Sequence, residues 1–124
     1  MMDARTGISD FLEIDPAQLV EMRRQGALKL IDVRTDAEVA VGMIAGANHL
    51  PLHLLPQRIT ELDPASPIVL YCKSGARSAQ ACAFLATQGF GQVFNLRGGV
   101  LAWQRSGYEL ELSQPADDTT RLGL

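Results

Sequence analysis

"SPIVLYCKSGARSAQACAFLATQG", residues 66–89, decides how the chain folds. Residues 66–72 are the strongest strand in the sequence, a run of apolar and β-branched residues. From Arg77 to Gln88 the chain is alanine-rich and reads as a helix, ended by Gly89. A six-residue loop, Cys72 to Arg77, joins the two. A further strand, "QVFNL" (92–96), follows at once. Strand, loop, helix and strand in this order make the repeating unit of a parallel sheet.

The rest of the chain repeats the alternation. "DFLEI" (10–14) reads as a first strand. Asp15 then serves as an N-cap with Pro16 at the first helical position. That helix runs to about Gln25, stops at Gly26 and turns Leu19 and Met22 inward. "LKLIDV" (28–33) is a second strand, apolar enough to be covered on both faces. "TDAEVAVG" (35–42) is a short helix capped by Thr35 or Asp36. "IAGANHLPL" (44–52) reads as a loop with a short strand near Asn48–Leu50. "HLLPQRITEL" (53–62) contains another short helix, with Pro56 near its first turn, and "GGVLAWQRSG" (98–107) reads as a glycine turn and a last helix. The fold class is therefore α/β, a mainly parallel sheet flanked by helices on both faces. In such sheets ligands bind beyond the carboxyl ends of the strands, which is where Cys72 lies.

Composition narrows the function. The 124 residues fit one domain, and 47% of them are hydrophobic, enough for one core. Eleven basic residues stand against 14 acidic ones, net −3, so nothing points to nucleic acid or a membrane surface as partner. Any positive charge that matters must be local. The two cysteines, Cys72 and Cys82, make neither a disulfide scaffold nor a zinc site. The first ten residues, "MMDARTGISD", carry no apolar signal segment, and no run is long enough to span a membrane. These readings place the protein in a reducing cytoplasm, where a lone cysteine stays a thiol.

A cysteine that ends a strand is most often simple packing. Here strand end, cysteine, glycine, arginine and helix start coincide. Backbone amides of the loop and of the first helical turn can converge on the sulfur, and a nest of this kind favours an anion. Lys73 and Arg77 add positive charge, and Gly75 lets the backbone bend. The thiol pKa is expected below its free value of about 8.5. Cys82, farther along the same helix, reads as core.

"CKSGAR" resembles the C-x-x-G-x-R active-site loop of rhodanese-type sulfurtransferases. "LIDVRTDAEVAVGMIAGANHLP" is similar to that family's D-V-R…E…G-H-I-x-G-A…N-x-P segment. "PIVLYC" is similar to its strand before the cysteine, and "NLRGGVLAW" to its L-x-G-G-x-x-x-W segment. The four motifs follow in the family's order over roughly residues 10–108. One position departs: Met43 stands where the family usually has histidine. The resemblance implies a single rhodanese-like domain over 10–112, with an N-terminal extension (1–9) and a flexible C-terminal tail (113–124).

It also implies an activity. Family members move a sulfane sulfur, commonly from thiosulfate, onto the active cysteine and then to cyanide or a thiol, with no metal or organic cofactor. Carried over, Cys72 is the nucleophile and persulfide carrier. Lys73, Ser74, Gly75, Ala76, Arg77 and Ser78 bind the small anionic donor and cradle the sulfur. Asp32 and Arg34 stand behind them. From the residues alone, a pair such as Arg34 with Glu38 reads as structural. Gly98 and Gly99 read as a tight turn, and Trp103 as core packing. His49 and His53 have no spacing that ties them to Cys72. Phe84 interrupts a polar helix stripe and is expected at the core boundary or partly exposed.

Three other functions compete. Cysteine phosphatases and arsenate reductases use a C-x5-R loop one residue longer, sized for a tetrahedral oxyanion; here that arginine position holds Ser78. A non-catalytic rhodanese-like binding module would not need Cys72. A persulfide relay, passing sulfur to a protein thiol in a biosynthetic pathway, would use the same residues as the thiosulfate enzyme.

Overall fold

The computed structural model describes residues 11–112. The expected extension and tail, and Asp10, lie outside the described residues. Five strands, β1 (Leu12–Ile14), β2 (Lys29–Asp32), β3 (Asn48–His49), β4 (Ile68–Tyr71) and β5 (Val93–Leu96), form one sheet. Its order is β1-β5-β4-β2-β3, and every neighbouring pair is parallel. The strongest strand of the sequence thus becomes the central one, with all four residues of β4 buried.

Helices α1 (Pro16–Gln25), α2 (Asp36–Val41), α3 (Leu55–Arg58), α4 (Ala76–Thr87) and α5 (Gly99–Arg105) connect and cover the strands. Side chains alternate along β4 between two cores. Ile68, Leu70 and Cys72 pack with Ile31, Val33, Val93, Leu55 of α3 and Ala81, Cys82 and Leu85 of α4. Val69 and Tyr71 pack on the other face with Leu30, Leu19 of α1 and Val100 and Trp103 of α5. Both faces are covered, as the sequence pattern requires.

The caps follow the local chemistry. The Asp15 carboxylate accepts from the Gln18 amide at 2.8 Å while the Gln18 side chain accepts from the Asp15 amide at 2.8 Å, a full capping box. Thr35, rather than Asp36, caps α2 in the same way with Glu38. Residues 53–62 contain the expected short helix, α3, with Pro56 in its first turn. A 3-10 turn (Leu52–Leu54) precedes it and a second 3-10 turn (Ile59–Glu61) follows it. Pro56 has no amide to donate back to the Leu52 carbonyl, so the first 3-10 turn does not run on into α3 as one α-helical ladder.

Candidate active site

Cys72 leaves β4 at its carboxyl end and is 1% exposed. The chain turns under the sulfur because Gly75 takes φ +107°, a left-handed conformation, and there becomes the N-cap of α4. A Cβ at Gly75 would also stand 3.2 Å from the Gly98 amide nitrogen, so the loop is pressed against the turn before α5. Helix α5 holds the loop from that side. Its first-turn amides of Val100 and Leu101 donate to the Cys72 and Lys73 carbonyls at 3.0 and 3.2 Å. This explains Gly99 more fully than a tight turn does, since any Cβ there would collide with those same two carbonyls.

The sulfur accepts from the Gly75 amide at 3.1 Å and the Ser78 amide at 3.4 Å, with the Ser78 hydroxyl also at 3.4 Å. Burial pushes the Cys72 thiol up, but the Ser78 hydroxyl and the amides of Ser78, Gly75 and Ser74 outweigh it and hold the thiol below its ordinary range. Alkylation rate against pH should therefore give a midpoint below about 8.5 for Cys72. A midpoint at or above that value would contradict the amide cradle.

The six loop residues are not equivalent. Lys73, Ser74 and Ala76 are exposed at the rim, while Gly75 and Ser78 are buried beneath the sulfur. The Lys73 side chain makes no hydrogen bond or ion pair among the described residues, so its charge is not committed to any of them. Arg77 is committed instead. Its two terminal nitrogens donate to the two Glu38 carboxylate oxygens at 2.7 and 2.9 Å. The Arg77 fork lowers the Glu38 carboxyl to about 2, burial opposing and Thr35 assisting. The sign is that of a depressed carboxylate: the link contributes fully above the unfolded value near 4.5 and is lost as pH falls through about 2.

This corrects the pairing of Arg34 with Glu38. Arg34 turns back to Asp32, with Nε and Nη2 donating to its carboxylate at 2.8–3.1 Å, and Nη2 also donating to the Gly42 carbonyl at 2.6 Å. Both residues are buried, and Arg34 lies 5.8 Å over the Tyr71 ring. The Tyr71 hydroxyl accepts from the Ile44 amide at 2.9 Å. Tyr71 belongs to the core opposite Cys72, and the Asp32–Arg34 pair bonds toward it and Gly42, while the sulfur's partners are Gly75 and Ser78.

The histidines stand apart from the sulfur. His49 Nε2 lies 2.7 Å from the Arg34 carbonyl. His53 is exposed and, with Val33, Arg34, Thr35, Pro51, Leu52 and Arg77, lines a mostly apolar groove of about 310 Å³ beside the loop. Cys82 is fully buried, with its thiol 3.5 Å from the Phe94 carbonyl, and burial pushes it well above the ordinary thiol range. Trp103 is core: it stacks on Tyr108 and donates from Nε1 to the Glu109 carbonyl at 3.1 Å. Phe84 is half-buried at the edge of the α4-side core. Met43 is buried, and its amide and carbonyl pair with Glu111 at 2.7 Å in an isolated antiparallel bridge.

A buried thiol that accepts from the amides of a strand-to-helix loop can act as a nucleophile. Residues 15–106 match the family described as Rhodanese-like domain. The chain belongs to this family. It is 56% identical over 78 residues to a sulfurtransferase of Allochromatium vinosum, covering 63% of this chain and 73% of that one. It is 37% identical over 111 residues to the thiosulfate sulfurtransferase GlpE of Ectopseudomonas mendocina, covering 90% of this chain and all of the relative. A rhodanese-related protein of Thermoplasma volcanium, known from its crystal structure, superposes with a TM-score of 0.75 at 29% identity, covering 82% of this chain and 99% of that one. No helix among the described residues of this rhodanese-like domain is long and apolar enough to cross a membrane.

Sequence reading passed over two residues of the site. Asn95 on β5 is 2% exposed and bonds Ser78 and Gly75, and Glu13 on β1 bonds Asn95. The available signal was an amide inside the otherwise apolar "QVFNL", since a buried polar side chain needs partners.

Proposed function

We propose that the protein is a sulfurtransferase that moves sulfane sulfur from thiosulfate, or from a persulfide donor, to a thiophilic acceptor through a persulfide on Cys72. The Cys72 thiolate attacks the outer sulfur of thiosulfate, the donor's S–S bond breaks, and sulfite leaves with the electron pair. The outer sulfur of the persulfide is then attacked by cyanide or a thiolate, and Cys72 departs as the thiolate it began as. No oxidant, metal or organic cofactor enters. The observation that carries this reading is the buried Cys72 sulfur with its amide donors and its depressed thiol. The free charge of Lys73 suits the dianionic donor, and the cytoplasm suits a free thiol.

The Arg77–Glu38 pair favours sulfur over phosphoryl transfer. A phosphatase loop needs its arginine fork on the substrate's oxygens, whereas here the fork is filled by a carboxylate. A persulfide relay to a protein thiol uses the same steps with a different acceptor. The apolar groove beside Arg77 gives either acceptor an approach.

Steady-state transfer from thiosulfate to cyanide tests the assignment of the two cations. Lys73→Ala should raise KM about tenfold with a smaller change in kcat, because a point charge for the donor is lost. Arg77→Ala should lower both kcat and kcat/KM, by roughly 10- to 100-fold, because the tie between α2 and the start of α4 goes with it. Equal, purely KM effects would reduce Arg77 to a second charge. Phosphate release from an aryl phosphate by the wild-type protein, without sulfur transfer, would overturn the proposed reaction.

A further inference from the structure

Behind the Cys72 sulfur lies a chain of side chains that the transfer reaction does not by itself require. The parallel register of β1 and β5 sets Glu13 beside Asn95. Asn95 Nδ2 donates to the two Glu13 carboxylate oxygens at 3.0 and 3.1 Å and to the Gly75 carbonyl at 3.2 Å. Both groups only accept, so the amide cannot be turned over, and Asn95 Oδ1 must face Ser78. Ser78 Oγ lies 2.5 Å from that oxygen, against 3.3 Å from the Gly75 carbonyl and 3.4 Å from Cys72 Sγ. An amide oxygen accepts only, so the serine supplies the hydrogen. The hydroxyl has one hydrogen and cannot give it to Asn95 and to the sulfur together.

We infer that Asn95, oriented by Glu13, is a positioning residue that takes the Ser78 hydroxyl hydrogen while the Cys72 sulfur is neutral and yields it when the sulfur carries negative charge. The exchange breaks one hydrogen bond and makes another; no proton leaves the serine. It costs the thiolate part of its stabilisation, because each hydrogen bond Ser78 gives the sulfur is one withdrawn from Asn95. The result is a thiolate that is formed readily by the loop amides yet is not buried in donors. A less stabilised thiolate is the better nucleophile of two with similar populations.

The other charged and titratable groups near the sulfur are Arg77 with Glu38, Lys73 beside it in the loop, Cys82 farther along α4, and Glu13 behind Asn95. None of these residues is replaced in the variants that test the inference. Asn95→Leu removes the competing acceptor in a nearly equal volume. The Gly75 carbonyl keeps its bond from the Ala79 amide at 3.0 Å and Glu13 is exposed to water, so the loss of Asn95 falls on the Ser78 hydroxyl, whose remaining acceptors are the Gly75 carbonyl at 3.3 Å and the Cys72 sulfur at 3.4 Å.

The inference rests on Cys72 being the reactive thiol of the proposed function, but alkylation reads it without any sulfur transfer, so the two can fail separately. The midpoint of Cys72 alkylation against pH should fall by about one pH unit in Asn95→Leu, a tenfold change in the ionisation constant. In the Ser78→Ala background the same change at Asn95 should move nothing. A midpoint that stays or rises in Asn95→Leu, or falls equally without the serine, would overturn the inference. A second measurement uses no Asn95 variant. In isotope-labelled wild-type protein the Asn95 side-chain amide resonances should titrate with the Cys72 midpoint, and in Ser78→Ala they should not. Asn95 resonances that ignore the ionisation of Cys72 would equally overturn it.

Discussion

Cys72→Ser should fold like the wild type and transfer no sulfur above background. Serine fits the space of the cysteine, and the Gly75 and Ser78 amides that serve the sulfur can serve a hydroxyl. The chemistry cannot follow. A serine hydroxyl stays protonated near neutral pH and does not carry a sulfane sulfur, so the first of the two steps has no nucleophile. Cys82→Ser supplies the contrast. Its side chain faces the Phe94 carbonyl, to which a hydroxyl can donate, and it lies outside the loop. It should keep most activity and lose about 1 kcal/mol of stability for the polar group now buried. Melting curves and transfer rates on both variants check the pair. Activity in Cys72→Ser with loss in Cys82→Ser would reverse the assignment.

Asp32→Asn should have the second largest effect, and on stability rather than chemistry. Asp32 and Arg34 form a buried pair on the side of the sheet away from Cys72, with 2.8–3.1 Å contacts and almost no exposure. Removing one charge leaves the Arg34 guanidinium buried beside Tyr71 and the Gly42 carbonyl without its counter-ion. Breaking such a pair costs about 3–5 kcal/mol, which for a domain of this size is a fall in Tm of roughly 10–20 °C. Replacing both partners by apolar residues, as in Asp32→Leu with Arg34→Met, should recover part of the loss, since no lone charge remains. Below the lowered Tm the single variant should still form the Cys72 persulfide. Loss of persulfide formation at unchanged Tm would instead place Asp32 in the chemistry.

The parts of this fold legible in the sequence were those with local causes. β4 is apolar on both faces and ends in a cysteine, so its central place and the position of the loop could be read directly. Asp15 with Pro16, and Thr35 with Glu38, write helix starts into four residues each. The failures were non-local. Arg34 and Glu38 are four residues apart, a spacing that suits a helix pair. Arg34, however, precedes α2 and turns back to Asp32, while Glu38 reaches 39 residues along the chain to Arg77. No spacing rule encodes such a contact. Asn95 and Glu13 meet only because β1 and β5 are neighbours in the sheet, although one follows the other by 82 residues.

In the proposed transfer Cys72 receives the sulfur. Intact-mass measurement after incubation with thiosulfate, followed by peptide mapping, tests it most directly. The expected result is an adduct of one sulfur atom on the peptide that contains Cys72, removed by cyanide and absent from Cys72→Ser. An unmodified Cys72, or a sulfur carried elsewhere in the chain, would contradict it.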